Sequence, residues 1–269
     1  RGRLEGTIIE VLERAHKTLV GRFMGENRSH YLIPSDKRIN QEISIPEGDE
    51  GGAQHGQIVV AELVEHPSRR QQPVGRIIEV LGDHMAPGME IEVAMRMYEL
   101  PHTWQDAVLN EVGDLAPQVP DDALANREDL RATPLVTIDG EDARDFDDAV
   151  FCERVGDGYR LIVAIADVSS YVKERTALDT EAVARGNSVY FPNYVIPMLP
   201  EILSNGLCSL NPEVNRLCMV CEMHISHDGK IARHRCFEGL MRAHARRTFN
   251  KVAAMRVAGD VALRTAYAA

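Results

Sequence analysis

The feature that most constrains this fold is a run of short, β-branched segments over the first 81 residues. Val- and Ile-rich stretches occupy residues 4–12, 18–23, 30–33, 41–45, 57–64 and 73–81. Turn-forming clusters separate them, including Gly25-Glu26-Asn27, Pro34-Ser35-Asp36 and the glycine-rich stretch 48–52. Branched side chains suit a pleated, half-buried surface, while Gly, Asn and Pro supply the turn conformations between strands. Strands this short and regular, with no helical stretch between them, predict a small all-β barrel of about five strands. Pattern alone does not separate such a barrel from a small β-sandwich.

An OB or cold-shock barrel fits the size of residues 1–83. Leu81-Gly82-Asp83 and Ala86-Pro87-Gly88 punctuate its end. Residues 84–133 read as an acidic connector with helical pieces at 104–111 and 121–130, and Pro101, Pro117 and Pro120 mark it as a solvated bridge. From Pro134 onward strands and helices mix without strict alternation, an α+β pattern. Strands are expected at 135–138, 160–168, 217–225 and 231–237, the last two joined at Asp228-Gly229. Helices are expected at 178–185, 199–203 and 243–257.

Of the 269 residues, 44% are apolar and 26% charged, ordinary values for a globular protein. No apolar run approaches the roughly 18 residues of a membrane helix, and the N-terminus lacks the apolar core of a secretory signal. Five cysteines make no disulfide framework, which points to a reducing cytoplasm. The chain starts without Met and ends in helical-looking sequence, so it is expected to be a segment of a longer protein. The net charge of −11 opposes nucleic-acid binding at face value. Its distribution softens that objection: residues 134–220 hold 14 acidic against 7 basic groups, and 221–269 hold 4 against 9.

The acidic groups are most concentrated between 139 and 148, where six of ten residues are carboxylates: Asp139, Glu141, Asp142, Asp145, Asp147 and Asp148. Carboxylates held this close repel one another unless protons or a cation neutralise them. Hard oxygen donors suit Mg²⁺ or Mn²⁺. A turn after the strand ending at Ile138 would bring Asp139 to the Asp145–Asp148 group, whereas extended chain would point Asp147 and Asp148 to opposite faces. The alternatives are a solvated acidic loop or a calcium loop, and the spacing lacks the closing Glu of an EF-hand. Phe146, wedged among the aspartates, favours a loop packed on a core.

The segment TIDGEDARDFDDAV resembles the catalytic motif of the ribonuclease II/ribonuclease R family. LIVAIADVSSYV, RGNSVYFPNYVIPMLPEILSNGLCSLNP and RLCMVCEMHIS follow in the family's order and extend the likeness over most of residues 134–226. The wording is closer to the ribonuclease R branch, which handles structured RNA. The resemblance implies an N-terminal part of a ribonuclease II-type catalytic domain over 134–269, behind a cold-shock barrel. It implies a hydrolytic 3′-to-5′ exoribonuclease releasing nucleoside 5′-monophosphates from single-stranded and structured RNA, with no membrane and no organic cofactor. Asp139, Asp145, Asp147 and Asp148 fall on the family's four catalytic aspartates, which hold Mg²⁺ at the scissile phosphate. In such sites two cations roughly 4 Å apart activate a water and steady the leaving oxygen. Asp147 is implied as the most rate-critical, with Asp145 beside it in catalysis, and Asp139 and Asp148 as main metal ligands. Tyr190 matches the tyrosine that stacks on the 3′-terminal base. The family's further arginine, second stacking aromatic and S1 barrel have no counterparts in residues 1–269, so this segment alone is expected to be inactive. The competing expectation is a non-catalytic RNA-binding module whose acidic loop is a structural cation site.

Weaker signals remain. Phe23 and Tyr31 are candidate base-stacking residues on the barrel, and equally candidate core. Cys218 and Cys221, with His234 and Cys236 near, lack a second zinc-type pair and read as small hydrophobes. Arg242, Arg246, Arg247 and Lys251 form a basic stripe if 243–257 is one helix, with a solvated face the default.

Overall fold

The computed structural model describes residues 17–257 except 27–28, 68–70, 117 and 120, together with 6, 7 and 9. The strand expected at 4–12 therefore lies outside the described residues for the most part. The chain divides into two compact units, residues 1–102 and 103–269.

The first unit is a closed five-stranded barrel. Its strands are β1 (Thr18–Glu26), β2 (Ser29–Pro34), β3 (Ile43–Ile45), β4 (Gln57–Glu65) and β5 (Val74–Asp83), in the order β1-β2-β3-β5-β4. Closure leaves no strand edge, because β4 pairs with both β1 and β5. Leu19, Phe23, Leu32, Ile43, Ile45, Val59, Ala61 and Ile77 fill the interior. The alternate residues Val20, Ile58 and Val60 face outward and are covered by Met89 of helix α1 (Met89–Met97). Being buried on both faces explains why Ile58-Val59-Val60-Ala61 is apolar without alternation. Gly21 is required where β1 meets β2, since a Cβ there would lie 2.3 Å from the Ile33 carbonyl oxygen.

The second unit begins inside the stretch expected to be a solvated connector, and much of that stretch is core. Helix α2 (Asp106–Gly113) buries Val108 and Val112, and Val119 and Leu130 join the same cluster. Short strand β6 (Glu128–Asp129) closes one edge of a seven-stranded sheet. The other strands are β7 (Val136–Asp139), β8 (Asp148–Val155), β9 (Gly158–Ala166), β12 (Asn215–Ile225), β13 (Ile231–Arg242) and β14 (Ala245–Thr248). Their order is β14-β7-β8-β9-β12-β13-β6. Between β9 and β12 come helix α3 (Ala177–Arg185), the hairpin β10 (Val189–Phe191) and β11 (Tyr194–Ile196), and a π-type turn at Ile202–Leu207. Helix α3 docks on α2: Gln105 donates to Glu181 at 3.0 Å, and the Leu178 N–H donates to Glu111 at 2.9 Å. The polar residues of the presumed bridge are therefore hydrogen-bonding partners of a packed helix.

Residues 243–257 are not one helix. Residues 245–248 form β14, which pairs in parallel with β7, and only Phe249–Val257 is helical (α4). The proposed basic stripe is accordingly broken up, with Arg242 on β13, Arg246 and Arg247 on β14 and Lys251 on α4. Cys218 is fully buried in β12 while Cys221 pairs across from Cys236. The two thiols of the C-x-x-C spacing thus belong to opposite faces of one strand, which rules out a shared zinc.

Candidate active site

Strands β7 and β8 run antiparallel with Val136 opposite Val150. The last residue of β7, Asp139, and the first of β8, Asp148, therefore lie at the same end of the sheet. The loop between them carries Asp145 and Asp147. Phe146 turns inward, 4% exposed, and anchors the loop to the core. The backbone is tied down as well. The Phe146 N–H donates to Ser209 Oγ at 3.0 Å, the Leu210 N–H to the Phe146 carbonyl at 2.8 Å, and the Ala166 N–H to the Asp147 carbonyl at 2.8 Å.

Two of the four aspartates, Asp139 and Asp147, carry the electrostatic effect of their neighbours. Partial burial and then the charge of Asp148 raise the Asp139 pKa; Arg246 opposes this, and Asp145 adds to it. Partial burial raises Asp147 too, followed by the charges of Asp145, Asp148 and Asp139. Asp139 Oδ2 is buried and has no hydrogen-bond partner. Asp145 Oδ2 accepts a 2.7 Å hydrogen bond from the Tyr190 hydroxyl, and that bond, with burial, pushes the tyrosine up to about 12. The Tyr190 ring is 64% exposed on β10. Among the described residues, no three His, Cys, Asp or Glu side chains converge tightly enough to enclose an ion by themselves. Mg²⁺ rarely asks for that, since it keeps waters and substrate oxygens alongside one or two carboxylates. The unpartnered Asp139 oxygen and the mutual repulsion of its neighbours fit such a cation.

Arg246 is the site's basic group. From β14 it donates to the Gly140 carbonyl at 2.9 Å and to the Glu141 carbonyl, and its guanidinium lies 4.9 Å from the Phe146 ring centroid. It therefore ties both ends of the acidic loop. Sequence reading named Arg246 but placed it on a helix, and it passed over Ser209, whose only signal was its place in the resembling segment ending CSLNP.

Of the two stacking candidates on the barrel, Phe23 is excluded. It is 2% exposed, packed in the interior with its ring 5.7 Å from that of His30, and has no face to offer a base. Tyr31, half-buried on β2, keeps access to solvent. A cleft of about 220 Å³ lies elsewhere on the second unit, among Glu222, His224, Arg233, His234 and Arg235. Arg235 there is committed to Glu222 and Glu128.

A closed five-stranded barrel and a mixed seven-stranded sheet with an aspartate loop at one end define a two-unit protein with a carboxylate-rich site. Comparison with known families gives this class its name. Residues 127–266 match the RNB domain and residues 31–105 the cold shock domain, and the chain belongs to the RNB family. Ribonuclease R of Acidithiobacillus ferrooxidans is 54% identical, over 100% of this chain and 62% of that protein. Ribonuclease R of Escherichia coli is 52% identical, over 100% of this chain and 33% of that protein. The chain thus spans between a third and two thirds of the length of these relatives. Among solved structures, Mycoplasma genitalium RNase R in complex with double-stranded RNA superposes with a TM-score of 0.87 at 26% identity, covering 94% of this chain and 45% of that one. Yeast Ssd1, a pseudonuclease, shares the fold at a TM-score of 0.72 and 18% identity, covering 96% of this chain and 34% of that one.

Proposed function

We propose that this chain carries the RNA-binding barrel and the aspartate loop of a 3′-to-5′ exoribonuclease that uses Mg²⁺, or Mn²⁺ in its place. The substrate is single-stranded and structured RNA in the cytoplasm, and the products are nucleoside 5′-monophosphates. The observation that carries this reading is the buried, unpartnered Asp139 oxygen among neighbouring aspartates whose charges raise the pKa of Asp139 and of Asp147. A charge cluster maintained at this cost is typical of a functional site.

Asp139 and Asp148, at the ends of adjacent strands, are the residues to hold the cation, with Asp145 and Asp147 completing the set. The bound cation supplies positive charge at the scissile phosphate. Asp148 is exposed, and Asp147, although the protein packed around its carboxyl raises its pKa, also keeps solvent-exposed surface, so both are open to phosphate and water. Asp145 holds the Tyr190 hydroxyl and thereby orients its exposed ring toward a terminal base, a contact indifferent to base identity. Arg246 keeps the loop closed against the repulsion of its own charges.

A second reading, a non-catalytic RNA-binding module, draws on the fold shared with a pseudonuclease. Asp147→Asn in the full-length protein separates the two. Lost hydrolysis of a 3′-tailed RNA with retained RNA binding supports the nuclease, and unchanged RNA decay supports the module.

A further inference from the structure

The aspartate loop has to withstand the repulsion of its own carboxylates, and a single buried hydroxyl braces it where they are densest. Ser209 is fully buried. Its Oγ donates to the Arg144 carbonyl at 2.9 Å and accepts from the Phe146 N–H at 3.0 Å. Those are the two peptide groups on either side of Asp145, so one hydroxyl fixes the backbone from which that side chain projects. Leu210, the next residue, extends the brace by donating its N–H to the Phe146 carbonyl.

Ser209 is itself held. Its carbonyl accepts a 2.7 Å hydrogen bond from Arg216 Nε, and Arg216 Nη1 donates to the Asn215 carbonyl at 2.8 Å. Arg216 is 7% exposed, and burial lowers its pKa. Burying a guanidinium to serve backbone carbonyls costs more than filling the same space with an apolar side chain. The expense makes sense if the position of Ser209 matters.

We infer that Ser209, braced by Arg216, is a positioning residue for the proposed hydrolysis, holding the backbone of residues 144–146 so that the aspartates stay gathered. The inference rests on the exoribonuclease reading. Its physical basis is preorganisation: like charges fixed by the fold in advance need no reorganisation when substrate and cation arrive.

The test uses a full-length protein carrying this segment, with Ser209→Ala, Ser209→Cys and Asp147→Asn beside the wild type. In Ser209→Ala, kcat is expected to fall about a hundredfold, the scale of a misplacement near 1 Å. KM, and the affinity for single-stranded RNA measured without divalent cation, stay at wild-type values. Ser209→Cys keeps a weak donor and acceptor on the same stem and recovers part of kcat. Amide exchange at Phe146 speeds up in Ser209→Ala while exchange in β9 and β12 does not. Wild-type kcat in both Ser209 variants overturns the inference, as does a kcat loss matched by an equal loss of RNA affinity. If Ser209→Ala does not fold, Ser209→Cys decides by the same kcat reading. Normal hydrolysis by Asp147→Asn, in contrast, sinks the exoribonuclease reading and this inference with it.

Discussion

Two sets of acids in the sheet unit have opposite surroundings. Asp167, 3% exposed just after β9, is fully provided for. It accepts hydrogen bonds from Ser169 at 2.6 Å, Ser170 at 2.7 Å and Arg127 at 2.5 Å. Burial pushes its pKa up, but these donors outweigh burial and hold it below the usual carboxylate range. Asp139, the last residue of β7, and Asp147, just before β8, are raised by burial and by the charges of neighbouring aspartates, with Arg246 offsetting only part of this at Asp139. An acid given its donors by the fold is finished at folding. An acid left short of them is stabilised only when something positive arrives.

The largest effect should come from breaking the paired end of that contrast. Asp167→Asn removes the nearer and more buried charge partner of Arg127, leaving it only the half-exposed Glu238 at 3.4 Å, and is expected to cost about 3 kcal/mol in denaturant unfolding. The Asp167 pKa is lowered in the folded state, so its stabilisation is present above the unfolded value of 3.8 and is lost as pH falls through the folded one. The gap between wild type and variant should therefore close below about pH 4. A gap that persists undiminished in acid would mean the ion pair is not what stabilises this region.

At the unpaired end, Asp147→Asn should lower hydrolysis by the full-length protein at least about a hundredfold while leaving its unfolding midpoint nearly unchanged. Next in size, Mg²⁺ at about ten times its Kd should stabilise the folded protein by about 1.4 kcal/mol. Calorimetry should show this as a Tm rise of a few degrees that disappears in Asp139→Asn. Equal rises in both proteins would place the cation elsewhere. The smallest effect is on the metal-free protein, where Asp139→Asn should raise stability at neutral pH by under about 1 kcal/mol. A carboxylate whose folded pKa is raised destabilises the fold above that pKa and ceases to do so as pH falls toward 3.8. The variant's advantage should shrink accordingly between neutral pH and pH 4 in thermal melts.

The aspartates were legible because they lie within ten residues of one another, and Phe146 among them marked the loop as packed. Tyr190 came from family likeness, and nothing local announces that its hydroxyl meets Asp145, 45 residues away. Val108, Val112 and Leu130 were read as parts of a solvated bridge because Pro and acidic residues surround them. Their burial depends on α3 and the sheet, which no window around them contains. Phe23 could be read either as core or as a base-stacking aromatic, and the barrel's alternation turns it inward.

Sequence alone determined the short strands of the first unit, most of the strands of the sheet and the acidic loop. Each of these is written in short-range terms: a period of two, a turn residue at the right offset, a local density of one charge. Closure of the first unit into a barrel was decided instead by pairing of β4 with both β1 and β5. Tertiary structure decided that residues 245–248 leave a helical-looking stretch to pair with β7, carrying Arg246 to the acidic loop. It also decided that Ser209 reaches back 63 residues to the Phe146 amide. Pairings at such separations are chosen by shape and hydrogen-bond satisfaction once the chain has collapsed, and they leave no period in the sequence to read.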